Sequence, residues 1–170
     1  MSRLSYLLHF FILICLLGFG CDNANLKASI PVSKQNQPGL SVTGGCNVSL
    51  DPKTNEIKLL SKITVGAESR SRCIIRINAP NAQKRVRLVP LAFKGEVKKA
   101  PATVAISSIL IGDQPTNVSK TYTSPTKFDL TNQIPKTNYT STGKNVFGIN
   151  LVLITNRGSL EITDMKFAIQ

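Results

Sequence analysis

Arg70 to Leu91 reads RSRCIIRINAPNAQKRVRLVPL, and this stretch decides the fold class. Apolar and charged side chains alternate in both of its halves, which is the period-two pattern of a β-strand with one buried face. The turn-rich APNAQ between the halves predicts a β-hairpin. The side chains expected to face the core are Cys73, Ile75, Ile77, Val86 and Leu88.

The other face of this predicted hairpin is a row of cations. If the two halves pair, the arginines of both strands lie close enough to converge on a phosphate, sulfate or carboxylate group. Like charges across a ladder cost stability, so their grouping favours a binding role; the alternative is an edge hairpin that charge protects from aggregation. The candidate anion-binding residues are Arg72, Arg76, Lys84, Arg85 and Arg87.

The first twenty residues have the anatomy of a signal peptide. Arg3 supplies a short positive region, and Leu7 to Leu17 form an apolar run that is shorter than the roughly 20 residues needed to cross a bilayer. The junction Gly20-Cys21 resembles a bacterial lipoprotein box, in which the cysteine becomes the lipidated N-terminus. The resemblance implies export and a lipid anchor on Cys21 in the cell envelope; ordinary cleavage and release to the exterior is the alternative.

Two cysteines remain for the exported domain once Cys15 leaves with the signal and Cys21 is assigned to the lipid. In an oxidising compartment an even pair predicts a disulfide, here Cys46 with Cys73. No CxxC motif is present, and the single histidine, His9, lies in the signal. The sequence therefore predicts no metal site, no cofactor and no catalytic triad built on histidine.

The mature chain is strongly basic. Removal of residues 1–20 takes away Arg3 alone, leaving 20 of the 21 Lys and Arg against all 9 acids, a formal net charge of +11. Such a charge favours polyanionic partners, which for an exported protein are anionic polysaccharides or lipid headgroups rather than nucleic acid. A solvated basic surface with no specific partner is the alternative.

The rest of the chain divides into a tether and one domain. Residues 21–42 are polar and turn-rich and predict a flexible tether. Residues 43–170 are short alternating runs broken by turns, with a loop expected from Lys94 to Pro101 and the longest loop from Thr131 to Lys144. Val146 to Thr155, the most apolar run after the signal, predicts a central strand.

Local irregularities are expected at four places. Pro90 indicates an edge position or a bulge. A change of phase at Ser107-Ser108 predicts a bulge that turns Ile109 and Ile111 inward, and another predicts a bulge near Thr163-Asp164. Residues 156–158 suit a hairpin loop with Gly158 in the left-handed region.

These elements make eight or nine strands and no amphipathic helix. The predicted fold is all-β, an antiparallel two-sheet β-sandwich, for which jelly-roll topology is one arrangement.

The order of features is similar to a family of small secreted domains of unknown function from bacteria and fungi, the domain-of-unknown-function family 4360. The resemblance covers about residues 43 to 169 and implies no catalytic residues. It is carried by Gly45-Cys46, Ser71-Arg72-Cys73, Ala79-Pro80, Phe93-Lys94-Gly95 and the run from Ala102 to Gly112.

Three functions remain open from the sequence. The first is a non-enzymatic envelope protein that binds an anionic component, and the second is an assembly subunit whose partner adds a strand at a sheet edge. The third is a secreted hydrolase that uses two carboxylates. Its candidate acids are Glu56, Glu68, Asp113, Asp129, Glu161 and Asp164. Sequons at Asn47, Asn117 and Asn138 would matter only in a glycosylating host.

Overall fold

The computed structural model describes residues 33–37, 39–80 and 84–170. The predicted signal peptide, Cys21 and most of the predicted tether lie outside these residues. Within the described ranges, no helix has the length and apolar character needed to cross a membrane.

Two antiparallel sheets pack face to face, so the predicted two-sheet β-sandwich is confirmed. Sheet A contains, in spatial order, β1 (Ser33–Gln37), β2 (Leu40–Gly44), β6 (Arg70–Asn78), β11 (Val146–Thr155), β8 (Ala102–Leu110) and β9 (Thr116–Tyr122). Sheet B contains β10 (Thr126–Asp129), β7 (Leu88–Lys99), β12 (Ser159–Ile169), β4 (Glu56–Leu59) and β3 (Val48–Asp51), with β5 (Ile63–Val65) also paired to β12. These strands exceed the predicted eight or nine. A 3-10 turn spans Thr131–Gln133.

The predicted hairpin from Arg70 to Leu91 was half right. Its first half is β6, and Cys73, Ile75 and Ile77 are buried as expected. The second half leads into β7, which begins at Leu88 and lies in the other sheet between β10 and β12, so the two halves do not pair. Alternation of apolar and polar side chains shows which face of a strand is buried, but it does not show which strand pairs with it. The two apolar faces meet across the core instead of sharing a ladder.

The predicted tether was wrong for the residues that the structure describes in it. Residues 33–37 and 40–44 form the β1–β2 hairpin, and β2 then pairs with β6. The reason is packing, because Leu40 and Val42 are buried in the core. Gly39, at a φ of +78°, makes the turn.

The loop predicted from Lys94 to Pro101 is mostly strand, because β7 continues to Lys99. Gly95 lies inside this strand because a Cβ there would collide with the backbone carbonyl oxygen of Glu161 and would lie 2.5 Å from Cζ of Phe128. The bulge expected near Pro90 is confirmed by a register shift opposite it, between Lys166 and Phe167.

The bulge predicted at Ser107-Ser108 was wrong. The ladders of β8 run through these residues in unbroken register. Ser108 is buried, and its hydroxyl donates a hydrogen bond of 2.8 Å to the carbonyl of Pro135. A serine therefore occupies an inward position, and Ile111 is 39% exposed.

The connection from β11 to β12 crosses from sheet A to sheet B, so the two strands do not form a hairpin. Arg157, at a φ of 61°, takes the left-handed conformation that was predicted for Gly158. Beyond it, the predicted bulge near Thr163 is confirmed by the register shift between Ile162 and Asp164. The predicted central strand is confirmed, since β11 lies between β6 and β8.

The disulfide between Cys46 and Cys73 is present, with 5.6 Å between the Cα atoms. Cys46 lies where the chain passes from β2 of sheet A to β3 of sheet B, and Cys73 lies in β6. The bond therefore ties sheet A to the segment that begins sheet B.

Candidate anion-binding face

The two sheets differ in charge. The strands of sheet A, as the structure describes them, contain no aspartate or glutamate. Their cations are Lys34, Arg70, Arg72, Arg76 and Lys120. The strands of sheet B balance lysines against acids and contain no arginine. Their charged residues are Lys58, Lys94, Lys98, Lys99, Lys127 and Lys166 with Asp51, Glu56, Glu96, Asp129, Glu161 and Asp164.

Five of the six ion pairs among the described residues use an acid from a strand of sheet B, and the sixth joins two loop residues. Every ion pair among the described residues uses a lysine. They are Lys58 and Lys166 with Glu56, Lys62 and Lys98 with Glu161, Lys94 with Asp129, and Lys144 with Asp113. No arginine within the described ranges is ion-paired, so the arginine charges of sheet A are not neutralised by a described carboxylate.

The register of sheet A sets out the polar groups of its outer face in rows. Gly148 of β11 lies between Arg76 of β6 and Ile109 of β8. In the next row, Asn150 has Ser107 on one side. One row further, Arg72 lies opposite Val152. We call the outward residues of these three rows, with Asn117 of β9, the arginine face.

Hydrogen bonds fix the guanidinium of Arg76 on the arginine face. Its Nη1 donates to Asn150 Oδ1 at 3.1 Å and to the carbonyl of Ile75 at 3.0 Å. Asn150 Nδ2 in turn donates to Ser107 Oγ at 3.3 Å. Gly148 leaves the room for this arrangement, because a Cβ there would lie 2.9 Å from Arg76 Nη1. The guanidinium is therefore positioned by neutral groups, which do not neutralise its charge.

Two shallow depressions lie on this face. One, of about 240 Å³, is lined by polar groups of Arg72, Ser107, Asn117 and Asn150 and by Val152. The other, of about 260 Å³, lies beside Arg76. Its further lining residues include Gln37, Ser41 and Asn78. Both are open to solvent, and together they offer hydrogen-bond donors and acceptors beside two positive charges.

The electrostatics of Arg76 are those of an uncompensated cation. Partial burial, and after it the positive charge of Arg72, lower the pKa of Arg76 from its ordinary value. Both effects disfavour the charged form. An anion placed between the two guanidinium groups would offset the repulsion between Arg72 and Arg76.

The structure does not bring all of the predicted anion-binding residues together. Arg72 and Arg76 lie on sheet A, whereas Lys84, Arg85 and Arg87 precede β7 of sheet B. The guanidinium carbons of Arg85 and Arg87 lie 5.6 and 4.8 Å from the ring centroid of Tyr139. Anion binding by these residues stays a prediction, now divided between two places.

Sequence reasoning missed the neutral partners of the arginines. Asn150 and Ser107 lie in runs that looked purely structural, and Tyr139 lies in a loop with no period. The polar residues that interrupt the apolar strands β8 and β11 were the available signal, because an asparagine in a central strand needs a hydrogen-bond partner.

Four of the six candidate catalytic acids, Glu56, Asp113, Asp129 and Glu161, are ion-paired with lysines. Glu161 is buried and receives Lys62 Nζ at 2.7 Å and Lys98 Nζ at 2.5 Å. Hydrogen bonds from these two lysines, first that of Lys62, hold the pKa of Glu161 below its ordinary value. A general acid for glycoside hydrolysis needs the opposite shift. Within the described residues, no cluster of histidine, cysteine or acidic side chains could hold a metal ion.

No family model matches the chain. No curated protein matches it either. Solved structures do: TmCBM61 in complex with beta-1,4-galactotriose has 12% identity and a TM-score of 0.42, over 77% of this chain and 87% of that one. The family 11 carbohydrate-binding module from Clostridium thermocellum, in complex with a mixed-linked tetrasaccharide, has 9% identity and a TM-score of 0.27, over 84% and 91%. The enzymatically active domain of bacteriophage CBA120 tailspike protein 4 has 14% identity and a TM-score of 0.32, over 82% of this chain and 19% of that one. At these values the likenesses carry no inference about what this chain binds.

Proposed function

We propose that the domain is a non-enzymatic binding module that holds an anionic polysaccharide across the arginine face. The observation that carries the proposal is the arginine pair of β6. Arg72 and Arg76 project from a sheet whose described strands contain no acid, and neither is ion-paired with a described residue. A guanidinium recognises carboxylate or sulfate groups through two parallel hydrogen bonds.

The surroundings of the arginines favour a sugar polymer over a small anion. Asn117, Asn150 and Ser107 form a polar row across three strands, next to the row of Arg72. The amides of Asn117 and Asn150 are at least partly exposed and can donate to and accept from sugar hydroxyls, while the buried Ser107 hydroxyl supports Asn150 by accepting from its Nδ2. The depressions on this face are open. An open face lets a chain extend beyond its contact points, which an enclosed pocket would prevent.

The proposal places the domain outside the cytoplasm. A disulfide between Cys46 and Cys73 is typical of oxidising compartments. The lipid anchor on Cys21 is part of the proposal and rests on the resemblance to a lipoprotein signal. Anchored in this way, the arginine face would meet envelope polysaccharide.

Calorimetric titration with three polysaccharides tests the proposal. Polygalacturonate carries carboxylates, heparin carries sulfates and dextran is neutral. We expect binding to one or both of the anionic polymers and none to dextran. The double variant Arg72→Gln, Arg76→Gln should bind about tenfold or more weakly, because a charge-assisted hydrogen bond contributes roughly 1.5–3 kcal/mol.

The control removes the same charge from the other sheet. Lys99 and Lys127 are exposed residues of β7 and β10 that form no ion pair with a described residue. The variant Lys99→Gln, Lys127→Gln should keep its affinity within about twofold, since exposed charges act weakly over distance in physiological salt. Equal losses in the two variants would show attraction by net charge alone and would overturn the proposal.

A further inference from the structure

A second cluster of arginines lies away from the arginine face. Residues 84–87 continue the line of β7 toward its N-terminal side, and Arg87 exchanges two backbone hydrogen bonds with Gln170, of 2.7 and 2.9 Å. Val86 packs against the core and Leu88 is buried. Because side chains alternate along an extended chain, Arg85 and Arg87 both point away from the core.

Two buried threonines attach the long loop to this segment. Thr137 N donates to the Leu88 carbonyl at 3.0 Å, and Leu88 N donates to Thr137 Oγ1 at 2.9 Å. Thr140 repeats the arrangement: its N donates to the Val86 carbonyl at 2.7 Å, and Val86 N donates to its Oγ1 at 3.0 Å. Tyr139 lies between these two attachments, so the loop presents it in a fixed position.

Tyr139 is the residue that organises the cluster. Its side chain is in the loop yet touches both arginines, with Arg87 closer to the ring centroid than Arg85. The residue is 43% exposed. A guanidinium that stacks on an aromatic ring is oriented through its face and keeps its N–H edge available for an anion. No described carboxylate pairs with either arginine.

We propose that Arg85, Arg87 and Tyr139 form a second anion site, which binds a single phosphate or sulfate monoester group. Two guanidinium edges held near one ring match a compact tetrahedral anion, which offers three terminal oxygens as acceptors. The site does not depend on the arginine face, which lies on sheet A. Its ligand is a terminal ester group, on a soluble sugar or on a lipid headgroup, rather than a repeating polymer.

The test is a titration of the full chain followed by NMR, with glucose 6-phosphate, glucose 6-sulfate and glucose as soluble probes. We expect the Arg85 and Arg87 Nε–H signals and the Tyr139 ring signals to shift with either ester, and none to shift with glucose. The variant Arg85→Gln, Arg87→Gln should bind about tenfold or more weakly, by the loss of charge-assisted hydrogen bonds. Vesicles containing phosphatidic acid form the lipid arm: binding there that needs the same arginines assigns the ester to a headgroup, and binding of the sugar esters alone assigns it to a soluble ligand.

Variants of Tyr139 separate a built site from general attraction. Tyr139→Phe keeps the ring and should change the affinity by less than about twofold, whereas Tyr139→Ala should weaken binding by about threefold or more, because cation–π contacts contribute roughly 0.5–1 kcal/mol at exposed sites. Arg72→Gln, Arg76→Gln and Lys99→Gln, Lys127→Gln serve as matched charge controls and should retain binding. Absence of binding to both esters and to the vesicles, or equal losses in all three double variants, would overturn the proposal.

Discussion

Sheet A and sheet B share one core, but their charged side chains differ in type and in partners. The strands of sheet B pair lysines with carboxylates, as around Glu56 and Glu161. In the strands of sheet A, arginines have no acid among them, and Arg76 is held by an asparagine and a backbone carbonyl. Lysine is a compact point charge, whereas arginine presents a planar fork of donors. The carboxylates of sheet B neutralise lysines within the fold, whereas the arginines of sheet A are left without a described acidic partner, and the proposed ligand would supply one.

The largest expected effect, on stability, comes from removing the disulfide that links sheet A to the start of sheet B. Replacing Cys46 and Cys73 by alanine opens a loop closed across a sequence separation of 27. The free energy of unfolding should fall by about 3–4 kcal/mol on the chain-entropy model. Urea denaturation with and without reductant measures it, and the wild type should lose a similar amount on reduction.

The cysteine variant also tests whether polysaccharide binding by sheet A depends on the disulfide. At temperatures where it stays folded, its affinity for the anionic polysaccharide should be unchanged, because hydrogen bonds within sheet A hold the guanidinium of Arg76 and neither cysteine belongs to the arginine face. A loss of affinity in the folded variant would contradict this separation of stability and binding.

A smaller effect is expected from the charge network of sheet B. Glu161→Gln leaves Lys62 and Lys98 without their carboxylate, so the variant should be less stable at neutral pH. Because the lysines lower the pKa of Glu161 from 4.5, its contribution is present above about that pH and is lost as the pH falls through the lowered value. Thermal unfolding from pH 7 to pH 3 should show the wild type and the variant converging below about pH 4.5.

The same variant distinguishes the two sheets in binding. Glu161→Gln should leave affinity for the polysaccharide unchanged within about twofold, because neither Glu161 nor its partners Lys62 and Lys98 belong to the arginine face. A hydrolase reading would instead expect loss of a cleavage activity. Release of reducing ends by the wild type, abolished by Glu161→Gln, would contradict the non-enzymatic proposal.

The positioning of Arg76 predicts a further, smaller effect. Gly148→Ala would place a Cβ 2.9 Å from Arg76 Nη1 and 3.0 Å from Ile109 Cγ2. Displacing the guanidinium should weaken polysaccharide binding by about three- to tenfold, since one hydrogen bond contributes a net ~0.5–1.5 kcal/mol. Gly66→Ala is the matched control, because a Cβ there meets nothing within 4 Å. Equal affinities of the two variants would contradict the positioning role.

The smallest effect is expected where the edges of the two sheets meet. Tyr122 of β9 stacks on Phe128 of β10 at 5.1 Å between ring centroids, and its buried hydroxyl finds no hydrogen-bond partner among the described residues. Tyr122→Phe should keep the stacking and stabilise the fold by up to about 1 kcal/mol, since it removes an unpaired buried polar group. Destabilisation measured by urea denaturation would indicate that the hydroxyl has a partner in solution.

The sequence predicted which face of a strand is buried better than it predicted which strands pair. The inner face of β6 and the disulfide followed from alternation and from the parity of the cysteines. The partner of β6 did not follow, because any strand with a matching apolar face satisfies the same pattern. Gly95 and Ser108 were misread for a related reason: each is explained by a residue distant in sequence, Phe128 for Gly95 and Pro135 for Ser108.

The candidate site was predicted only in part. The arginines were visible as a cationic set, but their grouping depended on the hairpin, and it changed when β6 and β7 separated into two sheets. The supporting residues Asn150, Gly148 and Tyr139 carry no charge and no motif. Their roles come from register and loop attachment, which local sequence patterns do not encode.

A side-chain NMR titration of the full chain with polygalacturonate oligomers tests whether the anionic ligand lies on sheet A. We expect the Nε–H signals of Arg72 and Arg76 and the amide signals of Asn117 and Asn150 to shift together. Signals of the network around Glu161 on sheet B should stay in place. Shifts centred on sheet B, or spread evenly over all exposed cations, would show that the arginine face is not the binding site.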